Sequence, residues 1–327
     1  MTLGSALSIE KKTWYVDPGF RAGVLAGLAK AKKAIEPRWF YDHQGSELFE
    51  LITQLPEYYP TRAETEILTD YAKQIAKVTG PIQTLVEYGS GSSTKTPLVL
   101  AATKPKNYVP IDISGAFLKE SVTALERQFE DVAMSPLEAD FAFPVTLPNG
   151  VRGPCLGFFP GSTIGNMDIP DAIDVLRLMT QTLGRGAYLL IGIDRVKSKR
   201  TLIPAYNDTQ GITARFNINL LERINRELSG TVPIDAFQHK AIWNSERSRV
   251  EMHLIAKRDL AFDVAGQRFR MASGESIHTE NSHKYDNRTA SLVLRGGHWE
   301  PIREWTDRAG LFSVFLARST SHDQSST

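Results

Sequence analysis

Thr84-Leu85-Val86-Glu87-Tyr88-Gly89-Ser90-Gly91 is the stretch on which the reading of this chain turns. A short apolar strand runs into an acid and then into a Gly-x-Gly turn. A second apolar run, Tyr108-Val109-Pro110-Ile111, ends on Asp112. A glycine turn after a first strand lets backbone approach a nucleotide closely, and an acid about 20 residues on can accept ribose hydroxyls. Two details argue against a dinucleotide. Ser92-Ser93-Thr94 follow where the third glycine of the dinucleotide fingerprint would fall, and Glu87 stands directly before the turn. A carboxylate there would repel a pyrophosphate but tolerate a sulfonium cation. Taken alone, the Gly-x-Gly remains compatible with any tight strand-to-helix turn.

The alternation around this stretch is regular. Candidate strands run from Ile82 to Glu87, Asn107 to Asp112, Pro154 to Phe159 and Gly186 to Asp194. Helical patterns lie between them at Thr96 to Ala102, Gly115 to Phe129 and Pro170 to Leu183, the last with proline near its start. Upstream, Thr61-Arg62-Ala63-Glu64 reads as a capping box opening a helix from Glu64 to Val78. Strands alternating with helices predict a parallel, doubly wound α/β sheet. His298 to Arg303 and Leu311 to Ala317 read as two further strands closing the sheet as an antiparallel pair. The tail from Ser319 to Thr327 is polar and expected to fray.

Two segments break the alternation: the part up to Pro60, and Lys197 to Tyr285. The latter holds an amphipathic helix from Thr213 to Leu228 and a strand-like run from Arg249 to Ala256. An interrupted sheet domain preceded by a leading segment predicts a second lobe, with ligand in the cleft at the carboxyl edge of the sheet.

Composition bounds the function. A chain of 327 residues suffices for one large domain or two ordinary ones. Its 38 basic and 37 acidic residues nearly cancel, so charge gives no footprint for nucleic acid or an anionic membrane. The single cysteine, Cys155, excludes an internal disulfide and a cysteine-built zinc site, and its apolar run places it in the core. No apolar stretch reaches the roughly 20 residues of a membrane span, and Met1-Thr2-Leu3-Gly4-Ser5 does not read as a secretory leader. The expectation is a cytoplasmic, monomeric protein acting on a small molecule.

Four further motifs occur in order: Arg38-Trp39-Phe40-Tyr41-Asp42, Leu55-Pro56-Glu57-Tyr58-Tyr59-Pro60-Thr61-Arg62, Gly161-Ser162-Thr163-Ile164-Gly165-Asn166 and Thr279-Glu280-Asn281-Ser282-His283-Lys284-Tyr285. With the Gly89-Ser90-Gly91 turn, which looks like that of Rossmann-like methyltransferases, they resemble the histidine-specific Nα-methyltransferases of ergothioneine biosynthesis, which form hercynine. The likeness extends from about Arg38 to the last strand, including Asn225-Arg226-Glu227-Leu228 and Trp243-Asn244-Ser245.

The resemblance implies S-adenosylmethionine as methyl donor, three methylations of one amine, and a Rossmann-like class I methyltransferase sheet with an inserted substrate-binding lobe. Residues 61–197 plus 286–327 would form the former, and 1–60 plus 198–285 the latter. Gly89 and Gly91 would pass close to the methionine part of the donor, with Lys95 pairing its carboxylate. Asp112 would hold the ribose diol, and Asp140 and Phe141 would flank the adenine. On the substrate side, Asn166 would orient the amino acid, because an amide both donates and accepts. The resemblance places the Tyr58 and Tyr206 hydroxyls on the substrate, makes these two tyrosines and Asn166 the catalytic set, and puts Tyr41 near the amine; Tyr59 reads as packing. Glu280 and Ser282 flank Asn281 and, in an extended segment, share a face where they can bind an imidazole. His278 and His283 lie near Glu280, but their spacing matches no common metal motif, so no metal is expected. Two other readings stay open: an N-methyltransferase of the same fold for another amino acid or amine, and a non-catalytic S-adenosylmethionine-binding protein.

Overall fold

The computed structural model describes residues 17–320. The beginning of the leading segment and most of the polar tail, parts of the two domain ranges given above, lie outside the described residues. In chain order the elements are α1 (Pro18–Ala29), α2 (His43–Thr53), α3 (Tyr59–Thr79), β1 (Thr84–Tyr88), α4 (Thr96–Thr103), β2 (Asn107–Asp112), α5 (Gly115–Glu126), β3 (Ala133–Met134), β4 (Leu137–Glu138), β5 (Cys155–Phe159) and α6 (Ile169–Leu183). There follow β6 (Tyr188–Asp194), α7 (Lys199–Tyr206), α8 (Ile212–Glu227), β7 (Phe237–Asn244), β8 (Arg249–Ala256), β9 (Leu260–Val264), β10 (Gln267–Met271), β11 (Ser276–His283), α9 (Asn287–Gly296), β12 (Trp299–Thr306) and β13 (Phe312–Ser319).

One sheet organises the molecule, in the order β12-β13-β6-β5-β1-β2-β3, with β4 also on β2. Pairing is parallel from β6 to β3, while β13 runs antiparallel to both β6 and β12. The central strands β1 and β5 are buried along their whole length, which is why they read as unbroken apolar runs rather than as alternation. Cys155 is one of these buried residues. From β1 the chain proceeds outward to β2 and β3, then returns to the other side of β1 as β5. The loops after β1 and β5 therefore diverge at a switch point, where a crevice opens beyond the strand ends.

Three apolar clusters form the interior. Two cover the faces of the sheet, one built with α6 and α9 and the other with α3 and α4. The third draws on residues between Phe20 and Tyr59 and between Leu202 and Ile277, packed about the ribbon β11-β8-β7 and the hairpin β9-β10. The segment before α2 joins this ribbon through backbone bonds between Ile35 N–H and His278 O and between His278 N–H and Lys33 O. No helix among the described residues is long and apolar enough to cross a membrane.

Two local expectations fail: Ser319, read as the first residue of a fraying tail, is the last of β13 and donates its N–H to Ala187 O at 2.9 Å, and one helix starts early. The helix assigned to Glu64–Val78 starts five residues earlier, at Tyr59, with Tyr58 as its N-cap and Pro60 in its first turn. Thr61 therefore lies inside the helix, and Glu64 does not reach back to cap it. Tyr59, Pro60, Ala63, Glu64, Ile67 and Leu68 are all buried in α3. That is the i, i+4, i+8 spacing of a helix face, and it carries Glu64 inward.

Candidate active site

The loop after β1 is built on glycine. Gly89 and Gly91 have φ of +71° and +50°, a region that side-chain-bearing residues rarely enter. A Cβ on Gly89 would sit 3.5 Å from the Phe141 ring, so the aromatic packs directly over the turn. Phe141 in turn meets Phe159 and Tyr88 edge-on, which fixes its plane. Asp112, at the end of β2, accepts Gly91 N–H and Ser114 N–H, each at 2.9 Å. Burial raises its pKa while these backbone bonds pull it down, leaving a carboxylate with lone pairs still free for hydroxyl donors.

Glu87 does not face the crevice as a free charge. One of its oxygens accepts Tyr108 OH at 2.6 Å and Thr96 Oγ1 at 2.7 Å, and burial pushes its pKa up to about 7. Lys95 likewise has a partner inside the protein: its ammonium pairs with the Glu64 carboxylate, which is fully buried. The same Glu64 oxygen accepts Gly161 N–H at 2.9 Å, in the loop after β5. Asp140 is bridged by Arg38 Nη1 at 2.7 Å and caps its own turn through Ala142 N–H at 2.9 Å. An adenine amine approaching Asp140 would share it with Arg38.

These groups line a cavity of about 800 Å³, within the size range of small-ligand sites. Its walls include Tyr41, Tyr58, Gly89, Gly91, Lys95, Asp112, Asp140, Phe141, Asn166, Glu280 and Asn281. A smaller recess of about 50 Å³ adjoins it and shares Tyr41, Tyr58, Asn166 and Glu280, adding Tyr206 and Ser282. Every residue expected to bind donor or substrate thus lies on one of two adjoining cavities. Asn166 ends a single 3₁₀ turn, Thr163–Asn166, directly after β5.

At the far end, β11 presents its side chains with a bulge between His278 and Glu280. Glu280 and Ser282 both reach the recess, while Asn281 faces the larger cavity, its Oδ1 buried without a partner. Burial raises the Glu280 pKa to about 7, with Lys284 pulling it back. The Tyr206 and Ser282 hydroxyls lie 2.7 Å apart, and Lys284 Nζ donates to both. The Tyr41, Tyr58 and Tyr206 hydroxyls are held far above their usual pKa by burial, so they stay protonated. Tyr59 points elsewhere and donates to Asp194 at 2.7 Å.

His283 bonds Asp168 at 3.2 Å, whereas His278 stacks on His253 with ring centres 4.7 Å apart. Glu251, His253 and His278 have ligand-type atoms within 4.8 Å of one another. Stacked rings aim their in-plane lone pairs side by side, however, and Glu251 Oε1 already accepts Arg249 and Asn244. Both histidines also have partners within the protein, His253 Nε2 at 3.1 Å from Glu251 Oε2 and His278 Nε2 at 2.9 Å from the Glu280 carbonyl oxygen.

The sequence reading overlooked Glu64, Asp194 and Lys284. Glu64 carried a signal, since it repeats on the apolar face of α3. Asp194 ends β6 as Asp112 ends β2, and Lys284 stands two residues beyond Ser282 on the same strand-like period.

A glycine turn, an aspartate with lone pairs to spare and an unpartnered Ser90 Oγ on one cavity wall fit an S-adenosylmethionine-sized molecule at the switch point. With its terminal strands paired antiparallel, the sheet is that of a Rossmann-like class I methyltransferase. The chain belongs to the family of histidine-specific, S-adenosylmethionine-dependent methyltransferases, whose model matches residues 20–319. It is 40% identical over 304 residues to a histidine N-alpha-methyltransferase of Mycobacterium tuberculosis, covering 91% of this chain and 94% of the relative. Its identity to the protein of the same name from Mycolicibacterium smegmatis is also 40%, over 309 residues, covering 91% of this chain and 94% of that one. A third relative, ergothioneine biosynthesis protein 1 of Neurospora crassa, is 29% identical over 81% of this chain and 31% of its own length.

Proposed function

We propose that the chain methylates the α-amine of L-histidine three times in succession, forming hercynine on the route to ergothioneine. The observation that carries this reading is the pairing, in adjoining cavities, of Asp112 at one end with Glu280 and Ser282 at the other. Bound S-adenosylmethionine supplies an electrophilic methyl on a sulfonium. Asp112 would accept its ribose hydroxyls, Gly89 and Gly91 would let the backbone close on it, and Lys95 would share its ammonium between Glu64 and the donor carboxylate. Asp140 and Phe141 would flank the base.

Glu280, ionised above its pKa of about 7, accepts the N–H of the histidine ring as a carboxylate, and this contact weakens as the group is protonated in acid. Ser282 supplies a second polar contact. Leaving such a buried polar set unpaired strongly penalises an apolar side chain, which is the basis of selectivity. Asn166, Tyr58 and Tyr206 orient the amino-acid end of the substrate, with Tyr41 beside the amine. Asn281 lines the larger cavity next to them. Positioning and exclusion of water supply the catalysis, the amine losing its proton before each transfer. We also propose that residues 61–197 plus 286–327 act as the donor-binding lobe and 1–60 plus 198–285 as the substrate lobe, in a cytoplasmic monomer.

Incubation with S-adenosylmethionine and a panel of amino acids, read by mass, tests the proposal. Histidine carrying three added methyl groups, with EDTA leaving the yield unchanged, is the expected result. Trimethylation of another amino acid with histidine untouched would replace it.

A further inference from the structure

Against the Tyr206 and Ser282 hydroxyls of the recess lies an ionic cluster that the reaction as described does not use. Lys284 is 3% exposed, and its ammonium has three acceptors for its three N–H bonds. These are Asp194 Oδ2 at 2.7 Å, Tyr206 OH at 2.8 Å and Ser282 Oγ at 2.7 Å. Asp194, at the end of β6, also takes Tyr59 OH at 2.7 Å and the ammonium of Lys197. The two lysines balance the two carboxylates, Asp194 and Glu280.

The hydroxyl arithmetic follows from these donors. Tyr206 and Ser282 each bring one proton, and each already accepts from Lys284. Their mutual bond at 2.7 Å uses one of the two protons, whichever oxygen donates. One hydroxyl proton is then left over, and both residues line the recess. Were Lys284 absent, either hydroxyl could turn its proton inward toward Asp194, and the recess would lose a defined donor.

We propose that Lys284 is a positioning residue for the amino-acid substrate: anchored on Asp194, it polarises the Tyr206–Ser282 pair so that one hydroxyl proton is presented to an acceptor atom of the ligand. The inference rests on the histidine reading above. Glu280 is faced by Tyr41, by Tyr58 from the start of α3, by Tyr206 from α7 and by Lys284, of which only the lysine is cationic. Loss of its charge therefore also moves the ionisation of Glu280 to higher pH.

The test compares Lys284→Met with Lys197→Met. Both remove a cationic partner of Asp194, but only the first touches the hydroxyls. Lys284→Met is expected to raise the KM for histidine at least tenfold and shift the acid limb of kcat/KM upward, with affinity for S-adenosylhomocysteine within twofold of wild type. Lys197→Met is expected to lower the melting temperature while keeping the KM within twofold. Should Lys284→Met fail to fold, Asp194→Asn/Lys284→Met, which removes one buried cation and one buried anion together, is read for the same KM increase. A folded variant lacking Lys284 with histidine KM and acid limb at wild-type values overturns the inference, as does an equal KM increase in Lys197→Met. A wild-type enzyme that ignores histidine overturns this inference together with the substrate assignment, so the two failures are distinguished.

Discussion

The carboxylate of Glu64, carried by α3, accepts the backbone N–H of Gly161 at 2.9 Å while pairing with Lys95. One buried oxygen thereby ties the loop after β1 to the loop after β5, the two sides of the crevice. Its other oxygen lies unpartnered against Gly192, where a Cβ would approach within 2.0 Å. Only glycine at that point of β6 leaves room for the acid.

Glu64→Ala should therefore cost about 3 kcal/mol of folding stability, since it strands a largely buried ammonium and a backbone donor. Urea unfolding of the ligand-free protein checks it. A loss below about 1 kcal/mol would mean that Lys95 finds water or another partner at little cost.

Asp112→Ala should weaken binding of S-adenosylhomocysteine at least tenfold, as expected from losing charge-assisted bonds worth about 1.5–3 kcal/mol. Calorimetric titration is the measurement. Unchanged affinity in a folded variant would remove Asp112 from the ribose.

Glu280→Ala should lower kcat/KM for histidine by about 2 kcal/mol or more, with cofactor affinity nearly constant. An apolar replacement should also narrow the preference for histidine over tryptophan, because no carboxylate is then left unpaired. Competition between the two amino acids, counted by product mass, decides. Retained selectivity would make Glu280 structural.

The pH response separates activity from stability. Turnover should rise from pH 7 toward pH 9 as the α-amine loses its proton. Glu280 has a folded pKa of about 7 against 4.5 for the free group, so its burial costs nothing in acid. The cost develops as pH rises from 4.5 to 7, where the unfolded chain ionises first. His239, His253, His278 and His283, held below their usual pKa chiefly by burial, act in the opposite sense, stabilising the fold as pH rises through 6.5. The wild type alone therefore mixes both trends. Glu280→Gln minus wild type isolates one: the stability difference should grow in favour of the variant between pH 5 and pH 8, by up to about 3 kcal/mol at about 1.4 kcal/mol per pK unit. A pH-independent difference would place Glu280 in contact with solvent.

Much of this was legible in the chain because the parallel sheet and its crevice are specified locally. The apolar runs, the Gly-x-Gly turn and Asp112 each carry their own signal, and β2 and β8 fall at the ends read from sequence. What was not legible is partnership across the fold. Lys95 and Asp140 stand out in the sequence as donor-site candidates, but Glu64 and Arg38, which occupy them, lie 31 and 102 residues away. The start of α3 was misplaced because Thr61–Glu64 satisfies a capping pattern, whereas apolar burial of Tyr59 and Pro60 extends the helix past it. Local propensity gave way to packing.

With its N-cap Tyr58, α3 joins the third apolar cluster, through Tyr58 and Tyr59, to the sheet, through Ala63, Ile67 and Leu68. Tyr58 on the smaller recess and Glu64 against the loop after β1 are consequently held at a spacing close to that of helical rise, about 9 Å along the axis. The helix works as a gauge block: the offset between the recess at Tyr58 and the loop held by Glu64 is set by counting residues along a rod. Inserting one residue between Tyr58 and Glu64 would swing the tyrosine about 100° around that rod and lose the alignment while leaving both binding surfaces chemically intact.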